Sequence, residues 1–263
     1  MDTNKRGKLI YQQKGAAAEY AKWACNLYNG CSNKCEYCYN RHSQGKKLLG
    51  KDVATIKGGM SKEEALDLFK NEFEKFKEDI KRDGGLFFNF VSDPCIPETF
   101  ELNFWCIEWC VINRVPVVLL TKNADWIYSA LWQGLFTFMG DLDIKYLINF
   151  GFTLTGRDDL ELGASSNKKR LEAISGLDNW GFRTWASIEP IIDPFMSYDM
   201  FKQALPYCEE FRFGLNSLKK DYSKSMIREF KWAVEEANQE YGRKLVWKES
   251  VLRFIEEKNY GKD

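Results

Sequence analysis

Asn26-Leu27-Tyr28-Asn29-Gly30-Cys31-Ser32-Asn33-Lys34-Cys35-Glu36-Tyr37-Cys38-Tyr39-Asn40-Arg41-His42 is the most informative segment of the chain. It sets three cysteines at C-x3-C-x2-C, just after a short candidate strand at residues 22–27. Three thiolates from one loop can hold three irons of a cubane 4Fe-4S cluster and leave the fourth iron open to an exogenous ligand. Electron-transfer clusters instead close with four cysteines. A second reading takes His42 as the fourth ligand of a zinc site, C-x3-C-x2-C-x3-H. A third completes an electron-transfer cluster with Cys25 or Cys95. Zinc ordinarily stabilises small modules, whereas the rest of this chain carries a large apolar core.

Outward from the triplet, buried strands alternate with helices. Residues 61–82 form the clearest helix: Ser61 and Glu64 make a capping box, Leu66, Phe69, Phe73, Phe76 and Ile80 make one apolar stripe, and Gly84-Gly85 ends it. Further strands are expected at 86–91, 115–120, 146–153, 182–188 and 211–215, with a terminal strand at 244–248. The helices between and after them are expected at 98–113, 124–133, 167–176, 198–205 and 223–241. Such alternation calls for parallel βαβ units with right-handed crossovers, hence a partial TIM barrel of (β/α)6 type whose strands all end on one rim. The domain reading is one unit over 1–263, with a core at about 22–216 and a C-terminal helical extension at about 217–263. Residues 46–60 and 156–166 are the candidate mobile loops.

Composition narrows the function. Hydrophobic residues make up 44% of the chain and aromatics 15%, which excludes disorder as the main state. The 38 Lys and Arg balance 38 Asp and Glu, so a protein that coats polyanions is excluded. Residues 1–60 are nevertheless locally basic, with Lys5, Arg6, Lys8, Lys14, Lys22, Lys34, Arg41, Lys46, Lys47, Lys51 and Lys57 against Asp2, Glu19, Glu36 and Asp52. That excess reads either as a solvated face or as a site near the cysteines that accepts an anionic substrate. One histidine, His42, excludes a three-His zinc centre. No secretory signal and no membrane-length apolar run is visible, so a cytoplasmic protein with reduced cysteines is expected. Cys106 and Cys110, four apart on one helix, read as core thiols, and Trp126, Trp132, Trp180, Trp185, Trp232 and Trp247 mainly as core. Arg157, Asp158 and Asp159 read as a solvated loop by default.

The triplet, with Tyr37 before its third cysteine, resembles the radical S-adenosylmethionine superfamily. Within it the chain resembles the spore photoproduct lyase-like branch, over roughly residues 26–216. The points of likeness are the cysteine loop, Ser92-Asp93-Pro94, Leu120-Thr121-Lys122 and Glu189-Pro190-Ile191-Ile192, each at the C-terminal end of an expected strand. The resemblance implies two cofactors, a 4Fe-4S cluster on Cys31, Cys35 and Cys38 and S-adenosyl-L-methionine on its open iron. It also implies a one-electron reductant of flavodoxin or ferredoxin type. One electron would split the sulfonium to a 5′-deoxyadenosyl radical, which takes hydrogen from substrate.

By the same resemblance Tyr37 packs on adenine, Lys122 pairs with the methionine carboxylate, and Thr153 fixes that carboxylate or the ribose. Glu189 lies where backbone groups meet the adenine edge, and Tyr39 relays hydrogen. Ser92 and Asp93 replace the Gly-Gly-Glu segment that holds the methionine amino group in many members. The lyases carry a hydrogen-donor cysteine just before their Ser-Asp segment, where this chain has Phe90-Val91. Cys95 is the candidate substitute, and efficient thymine-dimer reversal is not expected. The branch and the basic N-terminal end favour a nucleic-acid or nucleotide substrate, with a peptide as the alternative.

Overall fold

When each buried strand runs straight into a helix, the next strand can pair only in parallel, because the crossover carries the chain back to its starting edge. The computed structural model, which describes residues 7–218 and 221–256, follows that rule. Asp2, Lys5 and Arg6 of the basic end lie outside the described residues, as do residues 219–220 and 257–263 of the expected extension.

The chain opens with β1 (Ile10–Gln12), β2 (Trp23–Cys25), β3 (Tyr28–Asn29), α1 (Tyr39–His42), α2 (Lys46–Leu49) and β4 (Thr55–Ile56). Then come α3 (Lys62–Arg82), β5 (Leu86–Phe88), α4 (Phe100–Ile112), β6 (Val117–Thr121), α5 (Ala130–Asp141) and β7 (Ile148–Thr153). The last part holds α6 (Asn167–Asn179), β8 (Arg183–Ile191), α7 (Pro194–Ala204), β9 (Glu210–Leu215), α8 (Lys224–Ala237), β10 (Lys244–Trp247) and α9 (Glu249–Glu256). One eight-stranded sheet runs β1-β2-β5-β6-β7-β8-β9-β10. All its neighbours pair in parallel except β1, which lies antiparallel on β2. The sheet is an open part-barrel, with β10 added beside β9.

Each strand divides its side chains by period two. Leu86, Phe88, Val117, Leu119, Ala186 and Ile188 join the large core between sheet and helices. Phe87, Val118, Leu120 and Trp185 face the other way, into a lumen shared with Tyr11, Tyr20, Ala24 and Phe90.

Local chemistry moved several boundaries. The Ser61–Glu64 capping box forms as read. The helix expected at 124–133 breaks instead at Ser129, which caps α5 through Trp132 N after a 3-10 turn. Helix α7 starts earlier than 198, because Asp193 caps Phe195 and Met196 and Pro194 supplies a preset first turn. Residues 46–60 are not one loop: β4 pairs with β3 there, and Cys31 N donates to Lys51 O at 2.9 Å. Trp232, expected in the core, is 65% exposed.

Candidate active site

The cysteine loop leaves β3 through Gly30, at φ +80, where a Cβ would run into the Val53 carbonyl oxygen. It then passes over the C-terminal ends of β5, β6 and β7. Cys35 is buried, and Cys31 and Cys38 are half-buried. Burial, then the Asp93 charge, pushes the Cys31 thiol up to about 12. Burial likewise raises Cys35, against the pull of Lys122. Cys35 lies close enough to Cys31, and Cys38 to Cys35, for the one thiol's charge to help raise the other. Among the described residues no three His, Cys, Asp or Glu side chains gather round a point for one metal ion. A cubane asks something different, since each thiolate binds its own iron. His42 ends α1 exposed to solvent.

The loop is held by buried polar side chains rather than by apolar packing. Asn33 Nδ2 donates to Asp93 Oδ2 at 2.8 Å, and Asn123 Nδ2 donates to Asn33 Oδ1 at 3.0 Å. Asp93 also accepts from Lys122 N at 2.7 Å, Thr121 Oγ1 at 2.6 Å and Cys95 N at 2.9 Å. Both its oxygens are thus taken by donors from three separate loops. Next to it, Ser92 is 4% exposed and its hydroxyl has no hydrogen-bond partner among the described residues.

Lys122 projects its ammonium over the Tyr37 ring, 5.7 Å from the centroid, and makes no ion pair among the described residues. Burial opposes its charge, but the Cys35 thiol, Glu161 and Asp93 outweigh that and hold its pKa above the ordinary lysine value. The Tyr37 hydroxyl donates to Glu161, and burial together with that carboxylate lifts the phenol well above its usual range. Glu161 pairs at 2.6 Å with Arg170, and Arg170 donates to Thr153 O at 2.8 Å. A buried hydroxyl and an ammonium near Cys35, neither bonded to a carboxylate among the described residues, fit the polar end of an amino acid bound next to a cluster. The residues therefore suit the two cofactors that the resemblance implies.

The remaining expected residues fall at different distances from this centre. Tyr39 is exposed at the mouth and its hydroxyl donates to Phe90 O. The Glu189 carboxylate is engaged in the lumen by Tyr20 OH and by Lys248 Nζ at 2.8 Å. Cys95 is buried in the larger apolar cluster, against which Cys31 also packs, and its N donates to Asp93 Oδ1 at 2.9 Å. Cys106 and Cys110 are fully buried core thiols. Arg157 pairs with Asp159, and Asp158 accepts from Asn167 N at 2.7 Å, so that loop is bonded to itself and to the start of α6. Part of the basic N-terminal charge is met locally, Lys22 by Asp83 and Arg41 by Asp52.

Sequence reasoning missed Glu161, Arg170, Asn33, Asn123 and the lumen group of Tyr20, Arg212 and Lys248. Arg170 carried a usable signal, because it falls on the α6 stripe with Ile174 and Leu177. Glu161 carried none, lying in a stretch with the composition of a solvated loop.

No protein-family model matches the chain. The uncharacterised protein MJ0683 of Methanocaldococcus jannaschii is 27% identical over 240 residues, which cover 90% of this chain and 84% of that one. Spore photoproduct lyase, solved with bound AdoMet and dinucleoside spore photoproduct, aligns with a TM-score of 0.63 at 13% identity, over 89% of this chain and 78% of its own. The chain has the fold of spore photoproduct lyase. Streptococcus suis SuiB bound to S-adenosylmethionine aligns with a TM-score of 0.56 at 11% identity, and this chain spans 49% of it. The part-barrel expected from the alternation of strands and helices is thus the architecture found. No described helix is long and apolar enough to cross a membrane.

Proposed function

We infer that the chain is a radical S-adenosylmethionine enzyme. It would use a 4Fe-4S cluster on Cys31, Cys35 and Cys38, reduced by a flavodoxin- or ferredoxin-type donor. The observation that carries this reading is the half-buried Lys122 ammonium, which lies over the Tyr37 ring of the cysteine loop and makes no ion pair among the described residues. An ammonium held charged by its surroundings, with no carboxylate bonded to it directly, is placed to receive a substrate carboxylate. When bound, the cluster and S-adenosylmethionine supply a carbon-centred radical able to take hydrogen from an unactivated C–H bond.

The chain's own residues bind and orient. Lys122 receives the methionine carboxylate, Ser92 offers its free hydroxyl to the amino-acid end, and Tyr37 packs its ring on the adenine. Asp93 holds the loops in register, its oxygens already filled by protein donors. Tyr39, exposed beside Phe90, stands where a substrate entering the mouth would meet it. Of the two candidates to pass hydrogen, Tyr39 is exposed at the mouth and Cys95 is buried beside Asp93. The substrate proposed is a nucleotide or nucleic-acid component, on the likeness in fold to an enzyme solved with a dinucleoside photoproduct. A peptide is the alternative, since SuiB, with the same fold, is solved bound to the precursor peptide SuiA.

Anaerobic purification tests the reading. About four irons per chain and release of 5′-deoxyadenosine on adding dithionite with S-adenosylmethionine are expected. One zinc, no iron and no deoxyadenosine would sink it in favour of a metal-binding module that uses His42.

A further inference from the structure

The residues that face S-adenosylmethionine in this reading stand on separate loops, and one buried ion pair reaches several of them. Glu161 and Arg170 have fully buried side chains. Such a pair gives little net stability, because desolvation offsets most of its attraction, and apolar residues of similar size would often do as well. Its value lies in where it points. The Arg170 fork donates through Nη2 to Glu161 at 2.6 Å, through Nη1 to Thr153 O at 2.8 Å and through Nε to Ser165 O at 2.8 Å. Three donors in one rigid plane fix three points of the chain at once. The other Glu161 oxygen accepts from Tyr37 OH. Ser165 N in turn donates to Lys122 O at 3.0 Å. Tyr37 and Thr153 are therefore bonded to the pair directly, and Lys122 through one further hydrogen bond.

The backbone agrees. The 154–166 segment lies across the cysteine loop, with Glu36 N donating to Leu160 O at 3.0 Å and Gly163 N to Asn33 O at 2.9 Å. At the crossing a Cβ on Gly163 would strike the Ser32 carbonyl oxygen. The segment therefore clasps the metal-binding loop instead of hanging in solvent.

We propose that Glu161, paired with Arg170, is a positioning residue that sets the Tyr37 ring and the Lys122 loop for S-adenosylmethionine. This rests on the functional reading above. Tyr37→Phe is the decisive variant, since it keeps the ring and the ion pair and deletes only the Tyr37–Glu161 bond. In iron-loaded protein its Kd for S-adenosylmethionine is expected to rise about tenfold at unchanged iron content, the loss of one bond to a charged partner. Glu161→Gln should weaken binding as well, and the double variant should be no more than about twofold worse than the weaker single, because both break one link. In metal-free protein, Glu161→Gln should also speed amide exchange at Glu36 and Gly163.

A wild-type Kd in Tyr37→Phe, with Glu161→Gln lowering only the melting temperature, would make the pair a plain brace and overturn the proposal. If Glu161→Gln does not fold, Tyr37→Phe alone decides. Failure of the functional reading looks different. Fully iron-loaded wild-type protein would then not bind S-adenosylmethionine, and the proposal would fall with it before any variant is compared.

Discussion

Behind the sheet, Phe69 stacks on Phe73 at 5.8 Å and meets Phe88 at 6.3 Å, in a core of rings and aliphatic chains. At the mouth, Asn33, Asp93, Thr121 and Asn123 bond to one another, and Tyr37, Glu161 and Arg170 form a second chain. Both regions are buried, but they are ordered differently. Dispersion and water exclusion hold the back, and they ask only for volume and the right face. Matched donors and acceptors hold the front, and they ask for particular atoms from loops far apart in the chain. The back can therefore carry the fold while the front is tuned for chemistry.

The largest expected effect separates the two. Cys35→Ala should take iron from about four per chain to near zero, measured by metal analysis after anaerobic reconstitution. The melting temperature of the metal-free protein should barely move, since one thiol is lost from a loop held by other bonds. Phe73→Ala should do the reverse, costing about 3–5 kcal/mol in denaturant unfolding while the surviving folded protein still takes up iron. Equal stability losses in the two variants would erase the distinction between front and back.

Glycine gives a sharper version of the same contrast. Gly163 has a backbone oxygen where its Cβ would go, whereas Gly134 in α5 has open space. Gly163→Ala should destabilise by about 1–3 kcal/mol and lower S-adenosylmethionine affinity by loosening the clasp. Gly134→Ala should stabilise by about 0.5–1 kcal/mol with no change in binding. A neutral Gly163→Ala in both assays would mean that the 154–166 segment does not bear on the cysteine loop.

That contrast also explains what could be read in advance. The apolar stripe of α3 and the continuous apolar run of β6 are one-dimensional patterns, and they mark a helix and a buried strand. The three cysteines were legible because their spacing lies within one loop. Lys122 and Ser92 came only from the resemblance and from their place at strand ends. Glu161 and Arg170 came from neither, because their meaning lies in a contact between the 154–166 segment and a loop more than a hundred residues earlier. Cys95 was legible only as a thiol close in sequence to Ser92; the fold buries it next to Asp93, whose Oδ1 accepts from Cys95 N. Similarly, 46–60 looked mobile because β3 and β4 are only two residues each, too short to leave a period.

The smallest expected effect lies at the far edge of the sheet, where apolar and ionic order meet. Glu210 on β9 bonds Lys244 of β10 at 2.6 Å, and Arg212 lies beside it. Burial would raise the Glu210 pKa, but Lys244 and Arg212 outweigh it and hold the carboxyl below its ordinary value. A carboxylate whose folded pKa is depressed binds fewer protons in the native state than in the unfolded one. Its contribution is therefore complete above the ordinary glutamate pKa and fades as pH falls through the lower native value. Lys244 is largely exposed, so solvent screening keeps the contribution to about 1 kcal/mol or less. Glu210→Gln should thus narrow the stability difference between pH 7 and pH 4 slightly, read as unfolding midpoints in urea at the two pH values. It should leave iron content and S-adenosylmethionine affinity unchanged, because β9–β10 pairing does not touch the cysteine loop. A loss of iron in this variant would show that the edge and the mouth are coupled, and would break the division between them at its weakest point.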